Sequence, residues 1–154
     1  VVEDLEERRP MTYRHQRPVP TDDLRYFYGG GRHLGNVASA QIITDAVLSY
    51  FREEICWYGP PPPEVTVPFR RLSLSYESQA FRDDALFCGV GVESRGSRTL
   101  RLSGAIWIGD RDRLVVGAEI VLVCFSKQLR QAVEVPADLI RMIEDYEGRP
   151  LHRR

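Results

Sequence analysis

Asp22 and Asp23 stand together in a Pro-Thr-Asp-Asp stretch, followed by a Gly29-Gly30-Gly31 run and then by His33-Leu34-Gly35-Asn36. The last of these residues opens the one long helical pattern in the chain. The aligned first-turn N–H groups of a helix carry partial positive charge, so a developing oxyanion, a phosphate or a carboxylate can be held there. Polar groups thus gather at one helix start, with two carboxylates in the loop ahead of it. A further carboxylate, Asp45, lies within the helical pattern on the stripe that carries Gln41, Ser49 and Arg52. Such a stripe is also what an ordinary solvated helix face looks like, and a Pro-Thr-Asp-Asp segment is also an ordinary turn.

The elements that must position these groups follow from periodicity. From Val37 to Glu54, Val37, Ala40, Ile43, Val47 and Phe51 recur at three- and four-residue steps, which predicts an amphipathic helix. Asn36 is placed to cap it, and the Gly59 to Pro63 run forbids its continuation. Tyr13 to Pro20 reads as a short first strand whose closing proline lacks a ladder donor. After the prolines, Val65 to Glu77, Leu86 to Glu93, Leu100 to Ile108 and Leu114 to Phe125 are rich in β-branched and aromatic residues. Arg95-Gly96-Ser97-Arg98 and the Gly109 to Arg113 segment are turns that make antiparallel hairpins the natural connections. Leu114 to Phe125 is apolar almost throughout and is expected at the centre of the sheet. A short amphipathic helix, Ala137 to Tyr146, ends at Gly148.

The chain has 154 residues, enough for one domain with a real core. Residues 1–11 read as a flexible leader, 12–148 as the single domain and 149–154 as a basic tail. The 21 Lys and Arg are interspersed with 22 Asp and Glu for a net charge of -1, which argues against a nucleic-acid partner. Cys56, Cys88 and Cys124 are odd in number and widely spaced, with no Cys-x-x-Cys pair and no His at ligand spacing. Neither a disulfide framework nor a metal site is indicated; the cysteines read as small core residues, and a reducing cytoplasm fits. No apolar run approaches the roughly 18 residues that span a bilayer. No serine occupies a Gly-x-Ser-x-Gly elbow.

The order of strand, Asp-bearing loop, one long helix and four antiparallel strands resembles the hotdog fold, an α+β architecture in which an antiparallel sheet wraps around one long central helix. His33-Leu34-Gly35-Asn36 resembles the Gly-His-x-x-Asn signature of hotdog thioesterases of the 4-hydroxybenzoyl-CoA thioesterase type, with Arg32 where the glycine would precede the histidine. Asp23 takes the place of their catalytic aspartate, and Asp45-Ala46 falls where many members carry an acidic residue. The resemblance implies an acyl thioesterase acting on an acyl-CoA or on an acyl carrier protein, without a cofactor. It also implies a homodimer or homotetramer with active sites at a subunit interface. Asp23 is then the leading general base or nucleophile, Asp22 its neighbour able to exchange roles, and Asp45 the alternative on the helix. His33 and Asn36 would orient substrate or water. Gly35 would let the thioester approach the backbone, or supply a left-handed turn. Arg95 and Arg98 would grip phosphates of coenzyme A or of a phosphopantetheine arm. Gly29 to Gly31 would form a mobile cover over the acyl site. A hotdog dehydratase or hydratase, or a non-catalytic acyl-thioester-binding domain, is the alternative.

Overall fold

The computed structural model describes residues 13–21, 27–28, 33–109 and 113–154. Strand β1 (His15–Pro18) and the short pair β2 (Phe27–Tyr28) and β3 (His33–Leu34) precede helix α1 (Asn36–Ser49). After it come β4 (Val65–Thr66), β5 (Phe69–Tyr76), β6 (Leu86–Arg95), β7 (Thr99–Ile108), β8 (Arg113–Val123), β9 (Phe125–Ser126), β10 (Gln131–Ala132) and helix α2 (Ala137–Glu147). The main sheet is antiparallel in the order β1-β6-β7-β8-β5, and α1 packs on one face of it against β6 and β7. Strand β8 is interior, as its apolar run requires, but β7 is the central strand.

Period-two alternation sorts the sheet into two faces. Leu100, Leu102, Ile106 and Ile108 of β7, with Val116, Ala118, Ile120 and Leu122 of β8, join the core beneath α1. From the helix, Ile42, Ile43, Ala46, Val47 and Tyr50 meet them, all 6 % exposed or less. On the outer face Tyr13 stacks on Trp107, with ring centroids 6.4 Å apart, and Phe87 lies on the same indole at 6.2 Å. Gly89 makes room for this cover, since a Cβ there would sit 2.8 Å from that of Tyr13.

The long helix ends at Glu54, as its periodicity predicts, but its last turn is not α-helical. After Ser49 the helix widens into a π-helical turn over Tyr50–Glu54, with the Ile55 N–H donating to the Tyr50 carbonyl at 3.0 Å. Cys56 then turns the chain through a left-handed conformation at φ 58°. That cysteine is exposed, unlike the buried Cys88 and Cys124, so it is not the core residue expected of it. The helix start also differs from expectation. Gly35, extended at φ −82° and ψ 160°, is the cap, and Asn36 is the first helical residue with no side-chain capping bond. The proposed left-handed turn at Gly35 is therefore not present.

Helix α2 stops at Gly148, left-handed at φ 73°. The residues beyond it do not hang free as a tail. Leu151 is buried, the Arg95 N–H donates to the His152 carbonyl, and the Arg154 N–H donates to the Arg95 carbonyl. Arg149 donates to the carbonyls of Val92 and Glu93, and the Glu147 carboxylate accepts from the Val92 N–H and the Tyr50 hydroxyl. Burial, then Glu147, pushes the Tyr50 phenol far above its ordinary range. This segment occupies the length of β6 that the four-residue β1 leaves unpaired.

Glu64 ties β4 to the turn after β9, accepting from the Gln128 N–H at 2.6 Å and the Ser126 hydroxyl at 2.7 Å. Those donors hold its carboxyl below the usual glutamate range, the Gln128 N–H contributing most. A depressed folded value means that the stabilisation is present above the unfolded value and is lost as pH falls through the folded one. Glu64→Gln is therefore expected to lower the melting temperature at neutral pH and to have little effect in acid, once the pH has fallen through the lowered carboxyl value. An equal shift at both pH values in thermal melts would contradict this.

Candidate active site

The side chains that alternate inward along β1 are His15, Arg17 and Val19, and they face α1. Between them lies a cleft of about 350 Å³. One wall is Arg17, Pro18, Val19 and Pro20; the other is Ile42, Asp45 and Ala46 of the helix; Cys88 of β6, the register partner of Arg17, closes the floor. The lining is mainly apolar with one cation and one carboxylate, a composition that suits a small organic ligand with a polar end. Burial pushes the Cys88 thiol up to about 12, despite a smaller opposing pull from Arg17. That thiol is a core group here and no nucleophile.

Asp45 is the one sequence-expected carboxylate among the described residues, and it stands on the cleft wall. It is exposed and accepts a hydrogen bond from the Gln41 amide at 2.8 Å, one helical turn earlier. Asp22 and Asp23 lie outside the described residues, as does the Gly29 to Gly31 run. They follow Pro20, a wall residue, by two and three positions, a chain length that extends about 7–10 Å at most. Arg17 was not anticipated. Alternation with the apolar Val19 was the signal that put it, and His15, on the inward face.

His33, Gly35 and Asn36 form a second group at the N-terminal end of α1, roughly 14 Å along the axis from Asp45. His33 is half-buried and meets the ring of Phe81 edge-on at 6.4 Å. Gly35 is buried, and its carbonyl takes both the N–H and the hydroxyl of Ser39 at 2.9 Å. The carbonyl of exposed Asn36 lies 3.5 Å from the Tyr76 hydroxyl. Around this end Val37, Tyr76 and Phe81 are 79 %, 55 % and 42 % exposed, a large apolar surface for one small area.

Arg95 and Arg98 join neither group. They lie at the far end of β6 and in the turn after it, and Arg95 is seven residues from Cys88, roughly 23 Å along the strand. Arg95 is half-buried and engaged with the C-terminal segment, while Arg98 is exposed.

No family model matches the chain, and no curated protein matches it in sequence. Solved structures do match it in shape. The PA5185 protein of Pseudomonas aeruginosa superposes with a TM-score of 0.75 at 18 % identity, over 90 % of this chain and 95 % of that one. A thioesterase from Thermus thermophilus, solved with coenzyme A and zinc, gives 0.73 at 20 % identity over 90 % and 98 %. The chain has the hotdog fold. A 1,4-dihydroxy-2-naphthoyl-CoA thioesterase from Synechocystis shares that hotdog architecture at a TM-score of 0.69 and 18 % identity, covering 86 % of this chain and 96 % of its own. In hotdog terms α1 is the central helix, β5 is an open edge of the wrapping sheet, and the cleft lies between the other edge strand and the helix.

Proposed function

We propose that the protein hydrolyses an acyl thioester, with coenzyme A as the leading thiol carrier and an acyl carrier protein as the alternative donor. The observation that carries this reading is the cleft between β1 and α1, with apolar walls, Asp45 on one side and Asp22 and Asp23 a few residues beyond the other. An acyl chain fits the apolar walls, and Arg17 suits the polar end of the substrate. A carboxylate takes a proton from water as the oxygen attacks the thioester carbonyl. The oxyanion that forms is steadied by amides at the start of α1, and collapse expels the thiolate. Thioesterases among the matching structures, one of them holding coenzyme A, support this choice over a dehydratase.

The two groups of site residues, separated along α1, are proposed to meet across a homodimer. Among the described residues no strand pairs with the outer edge of the eight-residue β5, and the exposed Val37, Tyr76 and Phe81 surround the helix start beside it. An open edge next to an apolar patch favours a second copy of the sheet. Light scattering at micromolar concentration is expected to give a dimer or a larger even assembly; a monomer would remove the shared site. No helix among the described residues is long and apolar enough to cross a membrane. The activity itself is tested by thiol release from a panel of short, long and aromatic acyl-CoAs beside acyl carrier protein. No release from any of them would overturn the hydrolase reading.

A further inference from the structure

One cluster of polar side chains plays no part in the reaction just described, yet it lies one inward position beyond Arg17 of the cleft wall and one helical turn beyond Asp45. Along β1 the inward residues run Val19, Arg17, His15; along α1 the facing residues run Ile42, Asp45 with Ala46, Ser49. The first two rungs line the cleft. At the third, the walls touch, with His15 Nε2 2.7 Å from the Ser49 hydroxyl. The other ring nitrogen, Nδ1, is 3.1 Å from the Glu54 carboxylate. His15 is 4 % exposed and Ser49 7 %, so no carbonyl carbon reaches that hydroxyl, and the arrangement is a clasp and not a hydrolytic triad.

The π-helical turn explains how Glu54 takes part. In an unbroken α-helix, residues five apart point about 140° away from one another. The widened turn over Tyr50–Glu54 brings the Glu54 carboxylate round to the side on which Ser49 faces β1. A π-helical segment inside a longer helix often marks a functional constraint, and here its product is the second tether on His15. Tyr50 fixes the imidazole further, its ring edge-on at 5.9 Å. Strand β1 has only four residues and among the described residues pairs on one side, with β6, so this clasp, beside the Arg17–Glu53 ion pair at 3.4 Å, ties it to the helix.

We propose that His15, held between Ser49 and Glu54, is the end stop of the acyl cleft and so determines the longest chain the protein accepts. The proposal rests on the acyl-thioester reading of the cleft. Deleting the imidazole would open the cleft by up to one further inward rung of β1, about 6.6 Å. That is room for several methylenes.

The test uses S-alkyl-CoA thioethers of increasing chain length, which cannot be hydrolysed, titrated calorimetrically against the intact protein. Affinity is expected to rise by about fourfold per buried methylene up to a cut-off and then stop rising. In His15→Ala the rise should continue for several more methylenes. In His15→Gln, whose amide still reaches Ser49, the cut-off should stay with the wild type. A merely structural role would lower the melting temperature of His15→Ala and leave the cut-off in place, which would overturn the proposal. So would a shift in His15→Gln as large as that in His15→Ala. Should His15→Ala fail to fold, His15→Val, which also deletes the imidazole but keeps a strand-favouring side chain, takes its place, and an unmoved cut-off in that folded variant would be equally decisive. Thioether binding with a His15-dependent cut-off but no thiol release would overturn the hydrolase reading alone. Hydrolysis with a cut-off indifferent to His15 would overturn the end stop alone, and no thioether binding at all would overturn both.

Discussion

Asp23→Asn is expected to lower turnover about 100-fold or more, equivalent to roughly 2.7 kcal/mol of transition-state stabilisation, with little change in melting temperature. An amide of the same shape neither takes a proton from water nor attacks a carbonyl, so the loss should fall on kcat and much less on KM. Asp45→Asn, on the helix wall of the cleft, is the control. Asp45 is already engaged by the Gln41 amide and sits on an exposed helix face, which suits a carboxylate that positions substrate better than one that reacts. Its loss is expected to raise KM more than it lowers kcat. Full activity in Asp23→Asn beside an inactive Asp45→Asn would move the chemistry onto the helix. Inactivity in neither would remove both from the reaction, leaving Asp22 as the carboxylate to change next.

What the sequence made legible, and what it hid, follows from how local each signal is. The helix from residue 36, the four long strands, their hairpin turns and the left-handed stop at Gly148 rest on periodicity and on single residues with strong backbone preferences, and each appears where it was expected to within a few positions. Asp45 was recognisable as a candidate from its place on the helix, although its stripe alone did not distinguish a cleft wall from a solvated face. The long helix also ends at Glu54, where its periodicity stops, but the π-helical form of its last turn and the left-handed Cys56 leave no compositional mark. The docking of residues 149–154 was missed for a similar reason. A charged segment reads as solvated unless one knows that β1 is too short to cover β6, and that is a fact of strand register. His15 is separated from both Ser49 and Glu54 by more than thirty residues in sequence, so its pairing with them is a product of the fold and no motif announces it. Arg17 follows the same rule: its inward direction was implied by alternation, but only the helix opposite turns that direction into a cleft.

Ile43→Ala is expected to destabilise the protein by about 3–4 kcal/mol, the larger part of the range for deleting a buried aliphatic side chain. Ile43 is fully buried between α1 and the sheet. Gly104 of the central strand lies beneath it, since a Cβ there would meet Ile43 Cδ1 at 3.4 Å, an ordinary contact, and Val90 Cγ1 more tightly at 3.0 Å. Ile106 on the same strand face and Val47 one turn along the helix are themselves locked in the core, so the space left by the missing carbons has little around it that can collapse. For a chain of this size the cost corresponds to a fall in melting temperature of roughly 6–16 °C. Ile43→Val, which removes one methyl group, should cost only about 1 kcal/mol. The two variants also separate stability from chemistry, since Ile43 points at the sheet while the cleft is lined by Ile42, Asp45 and Ala46 next to it on the same helix. Below its lowered melting temperature Ile43→Ala should therefore keep most of its kcat. A fall of less than about 3 °C in the Ala variant would mean that the helix does not seat on the sheet at this residue, and the position of the cleft wall would have to be redrawn with it.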